Sequence, residues 1–205
     1  MWQFASTLKN KVSVSLVGGG FSNPLILGRA MSASDIIQYR AVPVGQYKLE
    51  IRAAAADMGV SNASPEVLPP VSVAVGAQTF QTILFQDVGS TPKIFLANDS
   101  IAGTGVPKGG KRLRIFNFAP NQDASLKTSP SNEVISAHVP PGMSEHVFPS
   151  NPGMSMLVMS NKLKNGFSAE QSIEIDFRSV DSISILISFD KYGRLALAAM
   201  EDAKN

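Results

Sequence analysis

The chain has no cysteine, so neither a disulfide framework nor a thiolate metal site can form. It has two histidines, His138 and His146, and a single tryptophan, Trp2. Charged residues make up 17% of the 205 positions, against about 25% in an average soluble domain. The formal net charge of +2 argues against a nucleic-acid binder, which concentrates basic charge on one face. No apolar run approaches the ~20 residues of a membrane-spanning helix, so no transmembrane segment is expected. The start, Met1-Trp2-Gln3-Phe4, lacks the basic end and apolar stretch of a signal peptide. The chain therefore reads either as cytosolic or as the mature part of a periplasmic or secreted protein with an added Met1. A composition rich in Ser, Gly and Pro favours the second.

What the sequence does contain is period-2 alternation. Val12, Val14 and Leu16 alternate with Ser13 and Ser15, and Tyr47, Leu49 and Ile51 with Lys48 and Glu50, the signature of half-buried strands. Pro43-Val44-Gly45 between two such runs is turn chemistry. Gly18-Gly19-Gly20 is read as a turn too, since no Gly-Lys-Ser/Thr follows it as a phosphate loop requires. Residues 1–10 read as a leader strand or arm anchored by Trp2, Phe4 and Leu8, and 53–70 as a long surface loop.

The pattern repeats. A step of 102 sets Ile173, Ile175 and Phe177 on Val71, Val73 and Val75, and carries on without a gap to place Glu201 on Asp99. A step of 101 sets Leu113 and Ile115 on Val12 and Val14. Val139-Pro140-Pro141-Gly142 then matches the Pro43-Val44-Gly45 turn, and the second copy gains a hairpin before Met154. The expectation is an all-β chain of two tandem immunoglobulin-like β-sandwiches of about seven strands each, related by an internal repeat of about 101–102 residues. The sandwiches span 1–102 and 111–205, and an exposed, mobile Gly-rich joint at 103–110 links them.

No motif identifies a reaction. His138 and His146 flank a Pro-Pro-Gly turn but have no third ligand at a fixed spacing, so no metal and no cofactor is expected. Ser144 lies two residues from His146, yet the nucleophile elbow of a serine hydrolase is missing, and no catalytic residue is assigned. Trp2, Tyr39, Tyr47 and Tyr192 are too few for an aromatic sugar platform. The methionines of the second half (Met143, Met154, Met156, Met159 and Met200) suit either an adaptable contact surface or core filling. The densest charge is Lys108, Lys111, Arg112 and Arg114. Alternation predicts Leu113 and Ile115 inward and Lys111, Arg112 and Arg114 in solvent, where they would bind a partner or an anionic polymer.

The openings of the two halves, Lys-Val-Ser-Val-Ser-Leu-Val at 11–17 and Arg-Leu-Arg-Ile-Phe-Asn-Phe-Ala at 112–119, together with the central Val-Pro-x-Gly and Tyr47-Lys48-Leu49-Glu50-Ile51, resemble the alginate O-acetylation accessory family, the periplasmic F component. Asn117-Phe118-Ala119-Pro120 also partly matches a broader group of secreted tandem domains whose first strand ends in Asn-Ala-Ser-Pro. The resemblance implies two tandem β-sandwiches and no catalytic motif. The implied role is non-catalytic: an extracytoplasmic scaffold accessory to O-acetylation or assembly of an alginate-like exopolysaccharide. Its partners would be other proteins of a polysaccharide-modification complex or an anionic polysaccharide. The alternative is a cell-surface adhesion or structural module.

Overall fold

A computed structural model describes residues 2–6, 11–32, 35–53, 66–77, 80–88, 91–99, 106–119, 123–128, 133–162, 168–189 and 194–202. The chain divides into two compact units, Met1–Asp99 and Ser100–Asn205, and is all-β, with no helix among the described residues. The first unit holds β1 (Trp2–Ser6), β2 (Val12–Gly18), β3 (Leu25–Met31), β4 (Ile36–Arg40), β5 (Gly45–Ala53), β6 (Glu66–Val75), β7 (Gln81–Val88) and β8 (Thr91–Asn98). They form two four-stranded sheets, β4-β1-β7-β8 and β3-β2-β5-β6. The second unit holds β9 (Lys111–Asn117), β10 (Asp123–Thr128), β11 (Val134–Ser136), β12 (Gly142–Phe148), β13 (Met154–Lys162), β14 (Ser168–Asp176), β15 (Ser182–Phe189) and β16 (Leu195–Glu201). Its sheets are β12-β9-β15-β16 and β11-β10-β13-β14, the same order strand for strand.

Each unit therefore has eight strands among the described residues, and the first of them is not a leader. β1 lies between β4 and β7, parallel to β7, and β9 lies between β12 and β15, parallel to β15. This revises the repeat. β9 is the counterpart of β1, not of β2, so Leu113 does not correspond to Val12. Gln3 pairs with Thr82 and Arg114 with Ser184, 111 residues apart on the first strands. Leu16 and Leu126 face Leu49 and Leu157, a step of 108 on the latter pair. The 102-residue step holds for β6 and β7, where Val73 and Val75 are buried like Ile175 and Phe177. It becomes 103 at the last strand, because Gln81 pairs with Asn98 but Ile183 with Glu201.

The expected extra hairpin is thus absent as an extra. β12 is the counterpart of β4, and Gly153 that of Gly45, since Gly45 opens β5 and Gly153 immediately precedes β13, at the same step of 108 that relates Leu49 to Leu157. Pro-x-Gly turns suit any tight connection between strands, so they cannot index a repeat. The longer loop belongs to the first unit, where 54–65 joins β5 to β6 while 163–167 joins β13 to β14; both segments lie outside the described residues. Residues 103–105 of the expected joint do as well. The rest of it forms a turn, with the Gly110 N–H donating to Pro107 O at 2.8 Å and Gly110 buried.

Alternation fills both cores. Val12, Val14, Leu16, Leu49, Ile51 and Phe85 pack in the first unit, and Leu113, Ile115, Leu157, Ile175, Ile185 and Ile187 in the second. The triple glycine closes one end of the first core. Gly19 has φ +63° and accommodates the ring of Tyr47, whose atoms would lie 2.3 Å from a Cβ there. The ring is itself fixed, buried and donating its hydroxyl to Pro43 O at 2.9 Å. Gly20 has φ +82° but open space around it. Gly20→Ala should cost about 1 kcal/mol for the left-handed backbone alone. Gly19→Ala should cost about 1–3 kcal/mol more, because the ring must yield. Chemical denaturation of the two variants measures the difference.

Candidate functional site

The basic stretch of β9 is where sequence and structure part most clearly. Leu113 and Ile115 enter the core as expected. Arg112 and Arg114 occupy the opposite face of the sheet, yet both are 1% exposed. They are directed at one carboxylate. Arg114 Nη2 donates to Asp202 Oδ1 at 2.7 Å and Arg112 Nη2 to Oδ2 at 3.4 Å. The Nε atoms donate to hydroxyls of the neighbouring β15, Arg112 to Ser182 Oγ at 2.8 Å and Arg114 to Ser184 Oγ at 3.0 Å. Those hydroxyls donate onward to Asp202, Ser184 at 2.8 Å and Ser182 through a short bond. Lys111 is also held, its Nζ on Val180 O at 2.9 Å and Asp181 Oδ1 at 2.7 Å. The expectation that these three cations point to solvent is overturned: carboxylates placed by the turn before β15 and the residue after β16 draw them in. Of the expected cluster only Lys108 is exposed.

The first unit carries a counterpart clasp on Asp99, with an amide and hydroxyls in it. Gln3 Nε2 donates to Thr82 Oγ1 at 2.6 Å, Thr82 Oγ1 to Asp99 Oδ2 at 2.8 Å, and Tyr39 adds its hydroxyl to the same oxygen at 2.6 Å. Gln3 stands where Arg114 stands, and Thr82 where Ser184 stands. Asp99 and Asp202 hold equivalent places, their N–H groups donating to Phe80 O and Ser182 O. Removing one partner of a buried ion pair strands the other, at about 3–5 kcal/mol. Asp202→Ala should lower the unfolding free energy of the second unit by that amount, read by chemical denaturation. Ser184→Ala, which removes only a neutral link, should cost about 1 kcal/mol.

Ser144 and His146 lie on one face of β12, opposite Ile115 and Leu113 of β9. Ser144 Oγ and His146 Nε2 are buried atoms with no hydrogen-bond partner, so the two are not linked as a nucleophile and its base. Burial lowers the His146 pKa below 6.5, because desolvation disfavours the cation. The unfolded chain then binds its proton first. His146 thus contributes stability that is present above pH 6.5 and is lost as pH falls through the depressed folded value. The unfolding midpoint should drop as the pH falls below 6.5 and level off below the depressed folded value, and His146→Gln should flatten the drop. His138 is exposed, and among the described residues no group of three or more His, Asp and Glu could hold a metal ion.

A different cationic site is presented to solvent. A cleft of about 430 Å³ is lined by Ile26, Leu27, Gly28 and Arg29 of β3 and by Arg40 of β4. These strands are the outer strands of the first unit's two sheets, so the cleft lies along the open rim of the sandwich. Both arginines are exposed. Sequence reading missed them because they are 11 positions apart and each stands alone among apolar and polar neighbours. A lone arginine near the end of an edge strand is the only signal they leave. Of the other candidates, Met143 is exposed, Met154 and Met156 half-buried and Met200 buried. The side chains of Trp2 and Met159, and Tyr192 altogether, lie outside the described residues. No helix among the described residues is long and apolar enough to cross a membrane. Comparison of the chain with protein-family models and with curated proteins finds no match.

Proposed function

We propose that this chain is a non-catalytic, extracytoplasmic interaction protein that serves the O-acetylation or assembly of an anionic, alginate-like exopolysaccharide. One observation carries the reading. The basic run of β9 is consumed internally by Asp202 and Asp181, while Arg29 and Arg40 are displayed together on the rim of a rigid sandwich. A stiff β scaffold presenting unneutralised guanidinium groups suits capture of a carboxylated polymer or of an acidic partner surface. The family resemblance supplies the setting, a periplasmic complex that modifies an exported polysaccharide. Sandwich architecture by itself hosts many functions, so the setting is what the experiment must test.

Deleting the gene should lower the acetyl content of the exported polysaccharide while the amount of polymer stays the same. Unchanged acetylation with impaired surface attachment would replace this reading with the adhesion module. Hydrolysis of an acetyl ester by the purified protein, abolished by Ser144→Ala, would replace it with an esterase.

A further inference from the structure

We propose that the rim cleft of the first unit is a saccharide subsite in which Arg29 and Arg40 hold the carboxylate of a uronate residue. The proposal rests on the polysaccharide reading above and adds the place and chemical class of the contact. Its basis is the state of the arginines. Arg52 is paired with Glu50, Arg112 and Arg114 with Asp202, and Arg178 with Asp176, and Arg194 is engaged as well. Arg29 and Arg40 alone have no ion pair or side-chain hydrogen bond among the described residues, and these two line one cleft. Two arginines sharing a cleft with no acid among its described lining residues repel each other, and a carboxylate relieves that repulsion. A guanidinium also matches a carboxylate with two parallel N–H bonds.

The remainder of the cleft selects more than a bare anion. Ile26 is 42% exposed, so an aliphatic side chain adjoins the charges and suits the C–H face of a sugar ring. Gly28 has no side chain to obstruct a ring lying against β3. Because β3 and β4 are outer strands, part of their backbone N–H and C=O groups has no strand neighbour and can meet sugar hydroxyls. The site is a groove at a sheet edge, which lets a polymer run through.

The test is titration of the full chain with a short oligouronate, with a neutral oligosaccharide and inorganic sulfate as comparisons. Three proteins are compared: wild type, the Arg29→Gln/Arg40→Gln variant and Lys108→Gln. Wild type should bind the oligouronate in a salt-sensitive manner and shift the backbone amide signals of Ile26 and Gly28. The double variant should bind at least about tenfold more weakly, the loss expected when charge-assisted hydrogen bonds are removed. Lys108→Gln should bind as wild type does. Equal binding by the double variant would overturn the cleft and leave the polysaccharide reading standing. An absence of oligouronate binding by wild type would also overturn the cleft, while acetyl content in the gene deletion still decides the accessory role. Sulfate producing the same amide shifts at the same concentration would make this an anion site and overturn the sugar assignment. If the double variant fails to fold, the wild-type shifts at Ile26 and Gly28 decide the question.

Discussion

Each unit depends on one buried carboxylate at the end of its last strand. Asp99 and Asp202 are 0% and 5% exposed, a costly place for a negative charge unless donors surround it. In both units a seventh-strand hydroxyl donates to the carboxylate and a first-strand side chain donates to that hydroxyl, so the network ties the beginning of the unit to its end. Gln3 and Thr82 are 79 residues apart, and Arg114 and Asp202 are 88 apart. Bringing such distant segments together has a large entropic cost. Parallel pairing of the first strand is also slightly less stable per residue than antiparallel pairing. The clasp offsets part of both costs.

It also sets register. Residues 112–115 of β9 alternate basic and apolar, and a slip of one position would turn Arg112 and Arg114 into the core and Leu113 and Ile115 out of it. Hydroxyls stand directly opposite the two arginines, Ser182 beside Arg112 and Ser184 beside Arg114, so only one register satisfies all of them. The first unit reaches the same end with an amide and a phenol. A glutamine can replace an arginine there because Tyr39 donates to Asp99. The two networks thus place a carboxylate alike while drawing on different side chains.

This arrangement sets apart two kinds among the described arginines. Those that hold sheets together are unavailable to a partner, however basic the segment looks. Those on the rims, where the outer strands end, are free of that duty. Arg29 and Arg40 belong to the second kind, exposed on outer strands of the first unit's two sheets.

How much of this was legible follows from the range of the forces involved. Alternation is a local property, so the strands over 12–18, 45–53 and 182–189 and the 71–75 part of β6 were readable from apolar and polar residues in turn, whereas 66–70, expected in a surface loop, begins β6. The all-β class and the 102-residue step of β6 and β7 were readable for the same reason. The place of β1 was not. Trp2–Ser6 is short, and its central position depends on pairing with β7 some 79 residues away. Nor was the fate of Arg112 and Arg114, since a strand pattern says which face a side chain takes but not what waits on that face. That was decided by Asp202, brought there by the β15–β16 hairpin, whose extra residue relative to β7–β8 shifts the match from Glu201 to Asp202. The meeting of Arg29 and Arg40 was likewise decided only in three dimensions, where the edges of two sheets come together. The sequence alone determined which residues prefer strands and which face each takes; contacts between distant strands determined which charges are buried and which are presented.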